Sequence, residues 1–195
     1  MATMAMSAGR NMFQAYSAAL QSRPVVTKMV TSTVLSGISE CAAQLIIERA
    51  ARKNVSPQVL QQQQAPWYQR LNYGRIAAFA AFGGLFFAPV THYWYQILQN
   101  RLGSVGTRVL ADQALFAPLA ISATFAYMLT YDGKARGGAV QRKIRNDLAP
   151  TLKMNWTVWV PTQAVNFLFV PLPFRVLVVN SVGLVWNVFL AMAAR

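Results

Sequence analysis

Acidic residues are scarce in this chain. Five Asp or Glu stand against 18 Lys or Arg in 195 residues, for a net charge of +13. Charged residues of both signs reach only 12%, against roughly 25% in a soluble domain, while hydrophobic residues make up 55%. So few charges cannot cover an ordinary soluble globule, and so much apolar side chain excludes intrinsic disorder. Cysteine is nearly missing as well. Cys41 stands alone, which excludes an intramolecular disulfide and a cysteine-based metal site. His92 is also single, so a zinc site or a His-dependent hydrolytic site lacks its partners. There is no G-x-S-x-G, no Walker A, no G-x-G-x-x-G and no H-E-x-x-H. No catalytic residue, metal or cofactor is expected. A continuous basic helix or a known reader motif is missing too, so nucleic acid is not the expected partner of the positive charge. Residues 1–23 lack the uninterrupted apolar core of a signal peptide. They also carry only Arg10 and Arg23, too few for a presequence.

What the chain does have is a series of long apolar runs. Spans are expected at about 25–47, 76–98, 109–131 and 176–192, since a helix rising 1.5 Å per residue needs about 20 residues to cross an apolar layer of about 30 Å. A further apolar stretch, 156–170, is interrupted by Pro161, Gln163 and Asn166. It is expected to be half-inserted or packed inside the bundle, where irregular polar backbone is tolerated. Met12, Phe13, Tyr16, Ala19 and Leu20 fall near helical spacing, which suggests a short N-terminal interfacial helix ended by Arg23-Pro24. The expected fold is all-α: a multi-pass transmembrane helix bundle forming one membrane domain over residues 1–195.

Between these runs lie polar linkers. Residues 48–75 carry five Lys or Arg, residues 132–155 carry six, and residues 99–108 form a short turn. With four spans, both basic loops fall on one side and both termini on the other. Loops of this kind sit beside anionic headgroups, so membrane lipid is the expected partner. Import or insertion factors that read basic clusters are a second.

The first span carries a polar stripe. Lys28, Ser32, Ser36, Glu40, Gln44 and Glu48 recur every four residues. Each step of four drifts by about 40° on a helix, so the central four share one face. That face cannot point at lipid, where a central carboxylate costs several kcal/mol. It either glues helices together or walls an aqueous pathway. Other segments contribute polar groups of the same kind: Asn180 and Asn187 on one face of the last span, Asp112 and Gln113 in the third, Gln163 and Asn166 in the interrupted stretch. His92 follows Pro89 among aromatics and reads more readily as an interfacial ring than as a gate. Ser32, Ser36, Glu40, Gln44, His92, Asp112, Gln163, Asn166, Asn180 and Asn187 are therefore the pore-lining candidates, with Glu40 as the dominant fixed charge. Glu40 and Asp112 form either a dyad or ion pairs with Lys28, Arg108 or Arg175. Pro89 and Pro118 are expected to kink their helices. Gly83-Gly84 is expected to be a close-packing point.

One motif is more specific. Trp156, Trp159, Pro161, Gln163, Asn166, Phe167, Val170, Pro171 and Arg175 spell W-x-x-W-x-P-x-Q-x-x-N-F-x-x-V-P-x-x-x-R. Arg23-Pro24-x-x-Thr27, Pro89-x-x-His92-x-x-Tyr95 and Asp112-Gln113 with Pro118 accompany it. In these residues the chain resembles the Mpv/PMP family of small four-span organelle membrane proteins, from Tyr16 to Met192. Ser39-Glu40 stands where many relatives have Gly-Asp, and Ala88 where a Gly is usual. The C-terminal stretch looks closer to the peroxisomal branch than to the mitochondrial inner-membrane one. The resemblance implies a multi-pass peroxisomal membrane protein, with the mitochondrial inner membrane as the alternative. It implies a pore or channel for small solutes made by one chain or a small homo-oligomer. A non-conducting scaffold is the competing expectation.

Overall fold

The computed structural model describes residues 14–52 and 66–193, with side chains through Trp186. Among the described residues there are helices and turns and no strand. Residues 14–22 form α1. The other helices are α2 (Pro24–Arg52), α3 (Tyr73–Arg101), α4 (Val105–Tyr131), α5 (Ala139–Phe169) and α6 (Arg175–Ala193). Short 3-10 turns at Trp67–Arg70 and Leu172–Phe174 lead into α3 and α6.

The polarity of the bundle is inverted. On α2, Val26, Val30, Val34 and Ile38 are each more than half exposed, while Lys28, Ser32, Ser39 and Glu40 are buried. Leu85 and Ile97 of α3, Leu110, Leu115 and Leu119 of α4, and Leu168 and Phe169 of α5 are also exposed. A bundle that turns leucine and valine outward and amides and carboxylates inward is built for lipid. Hydroxyls on α2 are satisfied locally: Thr27, Thr31 and Thr33 donate to the carbonyls of Arg23, Thr27 and Met29, four residues back, at 2.8–2.9 Å.

Pro24 opens α2, where its missing N–H costs nothing. Asn72 caps α3 by accepting from the Arg75 N–H, and Ser104 caps α4 by accepting from Thr107. The disruption expected at Pro89 and Pro118 takes the form of two π-turns, Phe82–Phe87 and Asp112–Phe116. Just ahead of each proline an N–H reaches back five residues, Ala88 to Gly83 and Ala117 to Asp112. A wider turn absorbs the bond that proline cannot make.

α5 corrects the expected division of the chain. The region 132–155, read as a basic loop, is helical from Ala139, and 156–169 is the second half of the same helix, with Gln163, Asn166 and Phe167 turned into the bundle and Val165, Leu168 and Phe169 turned out. Lys, Arg, Gln, Leu and Ala favour helix as readily as they mark a polar linker. A Lys143–Asp147 pair at 2.7 Å spans one turn of its exposed face. Pro150 and Pro161 lie within the helix, both on its exposed side. The true turn is 132–138, where Gly133, Gly137 and Gly138 take left-handed φ of 68°, 54° and 74°.

Side-chain bonds fix the helix directions. Lys28 meets His92 while Glu40 meets Arg75, so α2 and α3 are antiparallel. Tyr127 reaches Ala78 and Trp94 reaches Asp112, which sets α4 against α3. Lys143 lies over the Phe125 ring and Asn155 binds Gln113, so α5 runs the length of α4 in the opposite sense. Arg175 joins Gln99, and Asn180 joins Ser32, which leaves α6 parallel to α2. Among the described residues, three helices are long and apolar enough to cross a membrane: α2, α3 and α4. Leu172–Trp186, at the start of α6, is a shorter apolar helix. α5 adds a fifth pass through the bundle. The start of α2 and the end of α6 therefore lie at opposite ends of the bundle, not together as the loop charges suggested. Single cysteines at Lys134 and Pro173, in a Cys41→Ser background, are expected to react with an impermeant thiol reagent from opposite faces of sealed vesicles. Labelling of both from one face would show that α5 does not cross.

Candidate functional site

α2, α3, α4, α5 and α6 all contribute to a central cavity of about 180 Å³. Most of its wall is apolar and aromatic, including Phe79, Phe82, Phe87, Phe116, Phe125 and Trp159. Polar groups come from Ser36 and Ser39 on α2, Tyr95 on α3, Asp112, Gln113 and Thr124 on α4, Thr151, Asn155 and Gln163 on α5, and Asn180 on α6.

Asp112 is the centre of a buried network. Its Oδ1 accepts from Trp94 Nε1 at 2.9 Å, and its Oδ2 from Gln113 Nε2 at 2.8 Å and Gln163 Nε2 at 2.7 Å. Gln163 also donates to Tyr95 Oη at 2.7 Å and accepts from Asn166 Nδ2 at 3.0 Å. Asn155 donates to Gln113 Oε1 at 3.0 Å. Three N–H donors and no acceptor meet the Asp112 oxygens, the pattern that suits an acceptor-only carboxylate. The chain's other acids, Glu40, Glu48, Asp132 and Asp147, are each in an ion pair, whereas Asp112 makes none among the described residues. Trp94 is held for its role by stacking on Phe116 at 5.4 Å, and Tyr95 by an edge contact with Phe167 at 5.6 Å.

Glu40 is elsewhere. Its Oε1 takes the Arg75 Nε at 2.9 Å and Gln44 Nε2 at 3.1 Å, and Arg75 continues to Asp132 at 3.2 Å. Gln44 in turn accepts from the Asn72 N–H at 2.8 Å. This cluster fastens α2, α3 and the end of α4 to one another at one end of the bundle. The expected Glu40–Asp112 dyad does not form, and none of Lys28, Arg108 or Arg175 pairs with either acid. Lys28 Nζ lies 2.8 Å from His92 Nδ1, with Gln96 3.0 Å from the other ring nitrogen, so His92 is a buried partner of α2. Arg175 caps α5: it donates to Val170 O at 3.0 Å and Phe167 O at 3.3 Å, and holds Gln99 Oε1 at 2.9 Å. Those carbonyls are the ones a helix end leaves without partners, and a cation there complements the helix dipole.

Of the pore-lining candidates, Ser36, Asp112, Gln163 and Asn180 reach the cavity wall. Ser32 is buried behind it on Asn180, Asn166 sits on Gln163, and Glu40, Gln44 and His92 lie in the clusters above. The side chain of Asn187 lies outside the described residues. In the longer motif, Gln163, Asn166 and Phe167 are buried, and Trp156 donates to Gln113 O at 3.4 Å. Pro171 and Arg175 shape the turn into α6.

Sequence reasoning did not single out Ser39, Tyr95, Gln113 and Asn155 as lining residues. Tyr95 and Gln113 were named in the shorter motifs, though not as lining residues. Asn155 was hidden at the end of a stretch read as loop. Ser39 carries no sequence signal beyond lying seven residues after Ser32; its Oγ is buried without a partner.

A model of the Mpv17 / PMP22 family matches residues 134–191. Protein sym1 of Aspergillus oryzae is 34% identical over 187 residues, covering 93% of this chain and 96% of its own length. PXMP2/4 family protein 3 of Dictyostelium discoideum is 32% identical over 185 residues, 92% of this chain and 89% of its own length. Peroxisomal membrane protein 2 of Bos taurus is 33% identical over 187 residues, 93% and 89% of the two chains. No solved structure matches.

Proposed function

The chain belongs to the Mpv17 / PMP22 family, and from that premise we propose that it forms a pore for small solutes. It is an integral membrane protein, with three helices long and apolar enough to cross a membrane among the described residues and an inverted distribution of polar side chains. One cavity touched by all five long helices supports a pathway through a single chain. Its polar side, from Asp112 through Gln163 to Asn180, offers a solute hydrogen bonds inside an otherwise apolar wall, the combination from which selective passages are made. The relative named for the peroxisomal membrane supports placing this chain there, with the mitochondrial inner membrane as the alternative. Membrane lipid and a second copy of the chain are the proposed partners. Factors that read Arg49 and Arg52, or Arg142, Lys143 and Arg145, are proposed for insertion. The role involves no catalysis.

A non-conducting scaffold is the competing reading. The tight α2–α3 contact at Gly83 and Gly84 favours it.

Planar-bilayer recording on purified protein separates the two, since a scaffold passes no current at any voltage. In a conducting protein, Asp112→Asn is expected to move the reversal potential toward that of an unselective pore. Glu40→Gln should leave it unchanged, because Glu40 is bound to Arg75 away from the cavity. A shift with Glu40→Gln and none with Asp112→Asn would place the pathway along the Glu40 cluster.

A further inference from the structure

We propose that the central cavity is a binding site for a small organic cation: an ammonium group carrying an apolar, preferably aromatic, substituent. The inference rests on the cavity that supports the pore reading, but it holds whether or not the cavity conducts.

Charge provides the first ground. Of all the residues that line the cavity, Asp112 alone carries a charged group, and no Lys or Arg faces it there. It is 2% exposed and makes no ion pair among the described residues. Its three N–H donors satisfy the carboxylate as acceptors without neutralising it. A buried charge left without a counter-ion attracts a cation far more strongly than the same group in water.

The wall provides the second. Phe116 one turn after Asp112, Phe87 beside Phe116, and Trp159 one turn before Gln163 present aromatic surface at the carboxylate's end of the cavity, and Phe82 and Phe125 line its other end. Aromatic faces attract ammonium groups, most strongly when water is excluded, and they accept the apolar remainder of such a molecule. An inorganic cation would find one carboxylate and too few oxygens to replace its hydration shell. An anion would meet Asp112 with no compensating cation. A neutral polar solute would leave most of the wall unsatisfied.

The third ground is an unpartnered polar atom. Ser39 is a lining residue 1% exposed, and its hydroxyl is buried in the cavity wall with no hydrogen-bond partner. Such groups in native interiors call for a ligand or an ordered water. Ser39 lies on α2 and Asp112 on α4, so an occupant has polar points on two separate helices.

Three probes of similar shape and different charge test this: phenethylammonium, 2-phenylethanol and phenylacetate. Binding is read from tryptophan fluorescence of the detergent-solubilised full chain, because Trp159 and Trp186 line the cavity. Ala120→Leu, which fills the cavity from α4, gives the background from partition into micelles. After that subtraction the ammonium is expected to bind at least about tenfold more tightly than the alcohol, and the carboxylate not at all. Asp112→Asn should bring the ammonium down to the level of the alcohol. Phe116→Leu keeps the carboxylate and its donors, and it should weaken the ammonium several-fold more than the alcohol. That second variant keeps the test decisive if Asp112→Asn does not fold. Equal binding of ammonium and alcohol by the unaltered protein would overturn the proposal, as would a preference for ammonium over alcohol that survives in Ala120→Leu. Bilayer recording of the same preparation without probe keeps the two readings apart. Current without ammonium binding removes the cation site and leaves the pore. Ammonium binding without current removes the pore and leaves the site.

Discussion

Replacing Gln163 with leucine is expected to lower the stability of the folded protein sharply. The carboxamide is 3% exposed and serves three partners at once. It donates to Tyr95 Oη and to Asp112 Oδ2, both at 2.7 Å, and accepts from Asn166 Nδ2 at 3.0 Å. Leucine matches its size but removes all three bonds. Each buried polar group left unpaired costs about 1–3 kcal/mol. Measured polar contacts between helices in lipid average nearer 0.6 kcal/mol, because the separated helices find other partners. Asp112 also keeps Trp94 and Gln113. A loss of about 2–4 kcal/mol follows from three such groups, a large share of a total stability of about 5–15 kcal/mol. Gln163→Glu should do worse. It puts a second carboxylate against Asp112, and two like charges cannot share that site without one taking up a proton. Thermal unfolding in detergent, read as loss of the monodisperse species, should rank wild type above Leu and Leu above Glu. A Leu variant that melts with the wild type would mean that the network adds nothing to stability.

Gly84→Val is expected to separate α2 from α3. The two helices approach most closely at the π-turn of α3, where Gly83 and Gly84 are both buried. A Cβ built on Gly84 would overlap Thr33 Oγ1 and stand 2.9 Å from the backbone oxygen of Met29. The hydroxyl can rotate, but the carbonyl cannot move without the helix. It is also the acceptor of the Thr33 hydroxyl at 2.9 Å, so both groups are disturbed together. Overpacking typically costs about 1–3 kcal/mol, and a clash with backbone belongs at the top of that range. Valine should therefore lower the melting temperature strongly, and alanine by less. Gly183→Ala is the control, because a Cβ there meets nothing within 4 Å. Equal tolerance of valine at 84 and alanine at 183 would show that the contact is loose in the membrane.

How much of this was legible depended on whether a feature is local. The stripe on α2 was readable because helical geometry alone carries Lys28, Ser32, Ser36 and Glu40 to one face, and lipid cannot accept that face. The Gly83-Gly84 contact was readable for a similar reason, since two adjacent glycines inside an apolar run offer little but close approach. α5 was only half readable. Its motif residues from Trp156 to Phe167 stood out, but the turns before them carry Arg142, Lys143, Arg145 and Lys153. Hydropathy cannot tell a basic helix from a basic loop. With that helix counted as linker, the parity of the passes, and so the relation of α2 to α6, came out wrong.

The partners of each polar group were beyond the sequence's reach. Glu40 was expected to be the dominant fixed charge of a pathway, and Arg75, 35 residues on, pairs with it instead. Asp112 was expected to join Glu40 or a cation and instead took an indole and two carboxamides from α3, α4 and α5. Nothing in the spacing distinguishes those outcomes, because the pairing follows from the register at which whole helices pack. By itself, the sequence determined the composition of a lipid-facing bundle and the inward polar face of α2, which follow from the 3.6-residue period and the cost of polar groups in lipid, and it carried the family motif. Only the tertiary structure decided which carboxylate is paired and which stands alone at the cavity. That choice depends on side-chain contacts between residues up to 51 positions apart along the chain, such as Gln163 with Asp112.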